Sequence, residues 1–201
     1  ILDDTAAQLP KGARAELAGQ ASTMDSAFSG LFFGLIGAIV LIYLVVVVNF
    51  QSWVDPLVIV ATLPAALAGI AWMLFATWTP LSVPALTGAI MCMGIATANS
   101  VLVISFARSS LPVLGNATDA AIRAGVERFR PVLMTALAMI IGMTPLALGL
   151  GEGGEQNAPL GRAVIGGLAF ATVATLVLVP VVFAVVHRHY RVPPAGEPHA
   201  A

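Results

Sequence analysis

Charge is what this chain of 201 residues has least of: 9% of its side chains are Asp, Glu, Lys or Arg, against roughly 25% in an ordinary soluble domain. None lies between Ser26 and Val54, none between Pro56 and Ala107, and Asp55 alone separates the two runs. With 59% apolar residues and a mean hydropathy of +0.96, the composition argues against a soluble helical core protein. The net charge of −1 offers no basic field for nucleic acid. One cysteine, Cys92, permits neither an intrachain disulfide nor a cysteine zinc cluster. His187, His189 and His199 all follow the last apolar run, so the spans hold no Ser/His/Asp or Cys/His set. No carboxylate lies inside them either, and neither an enzymatic activity nor a metal or other cofactor is expected. The opening Ile1-Leu-Asp-Asp shows no signal peptide, and it reads as a cut from something longer.

What is present is length without charge. About 20 apolar residues cross a bilayer core of about 30 Å as a helix. The sequence predicts five spans, at about 30–50, 57–78, 85–107, 131–150 and 163–186. Asp55-Pro56 reads as an N-cap with proline at the first helical position, and Pro64 as a kink. Residues 1–25 are polar, with a turn at Leu9-Pro10-Lys11-Gly12 and a short strand at Ala13 to Leu17, and look like the end of a soluble domain. Asn116-Ala-Thr118-Asp119 opens a helix over about 117–129 whose apolar Ala121, Ile122, Val126 and Phe129 predict an amphipathic helix on the membrane surface. Residues 26–190 form the bundle, and 191–201 a disordered tail. Arg108, Arg123, Arg128, Arg130, Arg188 and Arg191 share one side, which the positive-inside rule makes cytoplasmic.

Several residues carry two readings. Gly30 and Gly34, and Gly166-Gly167, suit close helix packing or a sliding contact between bundles. Asn99, beside Thr97 and Ser100 in the third span, needs a hydrogen-bond partner or belongs to a polar track, which Thr135 and Thr144 would face. Arg128 and Arg130 flank Phe129 just before Pro131. They are either snorkelling anchors or charges that reach a carboxylate outside this chain. The loop Gly151 to Asn157 lacks the Gly-Lys-Ser/Thr of a phosphate cradle.

Several strings together resemble one family. Asn49-Phe-Gln-Ser-Trp-Val-Asp-Pro follows a first span like the eighth of resistance-nodulation-division (RND) efflux permeases. Gly94-Ile-Ala-Thr-Ala-Asn99-Ser-Val-Leu-Val-Ile-Ser-Phe-Ala-Arg108 is similar to the tenth span, Arg128-Phe-Arg-Pro-Val-Leu-Met-Thr135 to the entry of the eleventh, and Gln156 to Gly167 with Val179-Pro180 to the twelfth. Leu9 to Gln20 resembles the last strand region of the periplasmic porter domain. The resemblance implies an all-α integral membrane fold: five transmembrane helices plus one surface amphipathic helix, half of a twelve-helix bundle. It implies proton-coupled export of drugs, metals or other small compounds. The expected partners are the N-terminal half of the permease, a homotrimer, a periplasmic adaptor, an outer-membrane channel and the lipid of a bacterial inner membrane, with the N-terminal end periplasmic. Family members relay protons through two aspartates on the fourth span, a lysine on the tenth, and an arginine and a threonine near the eleventh. Arg128 and Thr135 match the last two, and Asn99 matches the asparagine after the lysine. Ala98 stands where the lysine belongs, so the resemblance implies a relay rebuilt on Arg128, Asn99 and Thr97, or a different coupling. The rival reading is a non-pumping RND-like structural, assembly or translocation accessory protein.

Overall fold

The computed structural model describes residues 20–151 and 153–187, with side chains from Ser26 onward. The expected strand and turn before Gln20, and the tail after His187, lie outside the described residues. Seven α-helices follow in order: α1 (Gln20–Phe50), α2 (Val54–Val60), α3 (Leu63–Ala76), α4 (Val83–Leu114), α5 (Ala117–Ala147), α6 (Gly154–Val173) and α7 (Val179–Val186). A π-helical segment, Ala174–Leu178, joins α6 to α7. Five helical stretches are long and apolar enough to cross a membrane: Ser26–Phe50, Val54–Ala76, Val83–Leu114, Ala117–Ala147 and Gly154–Val186. No strand occurs among the described residues.

Proline punctuates the second and fifth stretches. Pro64 has no N–H and crowds the carbonyl one turn back, so α2 ends at Val60 and α3 restarts after a turn at Ala61-Thr62. Pro180 acts in the same way on the last span. The ladder widens before it into the π segment, where Val179 N–H reaches the Ala174 carbonyl.

Two expectations change. Asp55 is not a cap: α2 starts one residue earlier, at Val54, and the Asp55 side chain is buried. The stretch 117–129 is not a separate surface helix. It is the first part of α5, which runs unbroken through Pro131. The residues that pack are the alanines, not the large apolar side chains. Ala117, Ala120, Ala121 and Ala124 recur at helical spacing and are buried, whereas Ile122, Val126 and Phe129 are exposed. An alanine face lets α5 lie close against α4 and α7, and that contact overrides the amphipathic pattern. Asn116 does cap α5, accepting from Thr118 N–H at 3.1 Å.

α6 is the hub, packed on α3, α4 and α5. Its glycines permit this. A Cβ on Gly167 would lie 2.6 Å from Ile70 Cγ1 and 2.7 Å from Cys92 Sγ, so three helices meet there with no room for a methyl. The core divides into two clusters. One joins Val58, Ile104, Ala120, Ala124 and Phe183 towards the end bearing Asp55, and the other joins Leu63, Ile70, Met93, Ala163 and Leu168.

Candidate functional site

The four residues singled out as a relay fall on two helices and are not joined by hydrogen bonds among the described residues. On α4, Thr97 and Asn99 are buried, and Thr97 Oγ1 donates to the Met93 carbonyl at 2.8 Å. On α5, Thr135 is exposed and its Oγ1 donates to the Pro131 carbonyl at 2.9 Å. Arg128 lies between these extremes. Its guanidinium sits 5.2 Å from the centroid of the Phe106 ring, and its Nε is buried without a hydrogen-bond partner. Ala98 is exposed, on the α4 face that also shows Met91, Gly94, Leu102 and Ser105. The position at which the resemblance implies a lysine therefore looks away from the packed interior of this chain.

Two polar groupings escaped the sequence. The first is a node of three hydroxyls, all fully buried: Thr62, Ser100 and Thr175. Ser100 Oγ is 3.4 Å from Thr62 Oγ1 and 3.1 Å from Thr175 Oγ1. Thr62 also donates to the Ile59 carbonyl at 2.7 Å, and Ser100 to the Ala96 carbonyl at 2.9 Å. Thr62 lies in the Pro64 break and Thr175 in the π segment, so the two irregular places in the bundle are bonded to one point on α4. Non-helical backbone at membrane depth needs protein partners of this kind. The second grouping is Asp55, Arg108 and His187, from three different spans. Asp55 Oδ2 accepts from Arg108 Nη1 at 3.0 Å, and Oδ1 lies 3.4 Å from His187 Nε2. Arg108 also borders a polar hollow of about 320 Å³ with Asn49, Phe50 and Ser105. The signal available in the sequence was Asp55's isolation: a lone acid between two uncharged runs needs a partner once buried.

At the opposite end, Arg162 donates from Nε to the Ala147 carbonyl at 3.0 Å and from Nη1 to Thr79 Oγ1 at 2.6 Å. This ties α6 to the end of α5 and to the α3–α4 connection. No group of His, Cys, Asp and Glu among the described residues is arranged to hold a metal ion.

The model of the AcrB/AcrD/AcrF family matches residues 2–187. The chain belongs to that family. Members of similar sequence include the multidrug resistance protein MdtC of Erwinia tasmaniensis, 35% identical over 180 residues, and that of Photorhabdus laumondii, 36% identical over 181. These alignments cover 89% of the chain but 18% and 17% of the relatives, so the chain spans less than a fifth of their length. The crystal structure of a heavy metal efflux pump superposes on 92% of the chain and 19% of its own, with a TM-score of 0.73 at 27% identity. With five apolar spans, the family member described here is a multi-pass membrane protein with an all-α membrane fold.

Proposed function

We propose that the chain supplies spans eight to twelve of a twelve-span RND-type secondary exporter, which couples inward proton flow to export of drugs, metal ions or other small compounds. The family match over residues 2–187 supports the exporter class, and the names of the relatives support those cargoes. Arg128 is the observation that carries the coupling. A cation with a buried, unpartnered Nε on a membrane-spanning helix is costly unless an acid meets it. Among the described residues Asp55 pairs with Arg108 and lies near His187, and neither contact involves Arg128. Its acid belongs to the remainder of the permease. The bundle performs no enzymatic step. It holds two arrangements whose balance shifts as that acid gains and loses a proton. On this reading the protein is a trimer in the bacterial inner membrane, joined to a periplasmic adaptor and an outer-membrane channel. The Arg108 end of the bundle is cytoplasmic and the N-terminal end periplasmic.

Ala98, where the resemblance implies a relay lysine, favours the second reading, a non-pumping structural or assembly accessory. Proton-driven efflux from vesicles containing the complete permease separates the two. Arg128→Ala is expected to cut export about tenfold or more, the scale set by losing ~1.4 kcal/mol of coupling, with membrane insertion unchanged. Unaltered export would make Arg128 a topology anchor and favour the accessory role.

A further inference from the structure

Glu155 and Arg162 line one pocket at the end of the bundle opposite Arg108, and neither is ion-paired among the described residues. The pocket measures about 420 Å³ and is bordered also by Trp78, Thr79, Leu148 and Gly149. Its walls come from the α3–α4 connection, the α5–α6 connection and the first turns of α6. Apolar stretches end or begin at all three places, so the pocket lies at the level of the lipid headgroups.

The two charges are held apart. A Cβ on Gly149, at φ +72°, would stand 3.6 Å from Glu155 Cα, and one on Gly154 would stand 2.6 Å from the Gly149 carbonyl oxygen. This close turn sets Glu155 at the rim. Arg162 follows seven residues later, about 10 Å along the helix axis at 1.5 Å of rise per residue. Neutral acceptors aim it: the Ala147 carbonyl takes Nε–H, and Thr79 Oγ1 takes an Nη1–H. Thr79 is itself braced by Thr77, whose hydroxyl is 2.9 Å away and whose carbonyl accepts from Thr79 at 3.2 Å. Two of the five guanidinium N–H groups are used, and the other three have no acceptor among the described residues. Trp78 completes the rim. It has φ +50°, a conformation that bulky residues rarely adopt, and is 90% exposed within this chain. From it an exposed aromatic stripe runs along α3 toward the bilayer centre: Phe75 lies 6.2 Å from Trp78 between ring centroids, and Trp72 lies 6.4 Å from Phe75.

A cation and an anion that share a pocket without meeting match a ligand that carries both charges. We propose that this pocket binds the headgroup of a zwitterionic phospholipid with a primary ammonium, its phosphate on Arg162 and its ammonium on Glu155 beside Trp78. Each group has the chemistry for its part. A guanidinium forks onto phosphate oxygens. An ammonium has three N–H groups for a carboxylate and is drawn to an indole face. The aromatic stripe gives the acyl chains an apolar wall, which a soluble phosphate ester would leave unused. The proposal goes beyond export and does not rest on it.

Native mass spectrometry tests it on the complete permease, delipidated and then offered equal amounts of phosphatidylethanolamine and phosphatidylglycerol. The two lipids share the phosphate and differ in the ammonium. Wild type is expected to favour phosphatidylethanolamine about tenfold in the lipid it retains longest, the scale of one charge-assisted hydrogen bond. Glu155→Gln is expected to abolish that preference, and Arg162→Gln to weaken both lipids about tenfold. Should Arg162→Gln fail to fold, Glu155→Gln still decides, because position 155 is exposed. No preference in wild type, or a preference unmoved by Glu155→Gln, overturns the site. Millimolar O-phosphoethanolamine is expected not to displace the lipid. Displacement would overturn the lipid and assign the pocket to a soluble phosphate ester.

Discussion

Gly166 shows how much one methyl group decides in this bundle. A Cβ there would strike Met73 Cβ and lie 2.6 Å from the Gly69 carbonyl oxygen, which is backbone and cannot turn aside. Overpacking of this kind costs about 1–3 kcal/mol. Gly166→Ala is therefore expected to lower the melting temperature of the complete permease in detergent, while Gly125→Ala, whose added methyl meets Pro180 Cγ at an ordinary 3.6 Å, lowers it less. Equal melting of the two variants would refute the close α3–α6 contact. Ser100→Ala in the same assay removes the bond that joins Thr175 to α4, and about 0.6 kcal/mol is expected, the usual worth of an interhelical hydrogen bond in a membrane. These residues were not equally legible. The pair Gly166-Gly167 announced close packing by composition alone. Thr62 and Thr175 announced nothing, because a threonine that bridges two spans looks in sequence like one that bonds its own helix, as Thr144 does to the Ile140 carbonyl. The Asp55–Arg108 pair is hidden by 53 positions of sequence separation.

At the scale of elements, hydropathy and length suffice to count the spans, because the bilayer fixes both. They do not fix where a span begins. Arg123, Glu127, Arg128 and Arg130 make the start of α5 read as a surface helix, yet the interleaved alanines pack it against α4 and α7 as part of one rod. That continuity is measurable. Spin labels at exposed Ile122 and Leu137 on a straight helix have Cα atoms about 22 Å apart, from 1.5 Å of rise per residue. A right-angle bend near Pro131 would bring them to about 16 Å on the same rise. The longer distance is expected, and the shorter would restore the separate surface helix. The prolines divide in the same way. Pro64 lies mid-span and its break was readable, whereas Pro180 lies near the end of a span, where a proline more often marks termination than a π turn.

For the whole molecule, the question is what the exposed face of α4 meets. Ala98 and Ser105 lie on it, with Thr135 exposed on α5, while the partners that bury Asp55, Ser100 and Arg162 all come from within the chain. On the proposed reading, this open face is where Arg128 and Thr135 meet the remainder of the permease; the relatives extend beyond the matched part by more than four fifths of their length. Ala98→Lys tests whether that face is tuned for a lysine-free relay. The position is exposed within this chain, so a long side chain displaces none of the neighbours described here, and membrane insertion is expected to stay normal. If the opposing acid is already served by Arg128, an added ammonium competes for the same carboxylate. It holds that group ionised and stalls the proton cycle, because an adjacent cation favours the charged form of an acid. Proton-driven export by the complete permease is therefore expected to fall in Ala98→Lys. Export above the wild-type level would instead show that the alanine is a lesion in an ordinary relay, and that Arg128 does not replace the lysine.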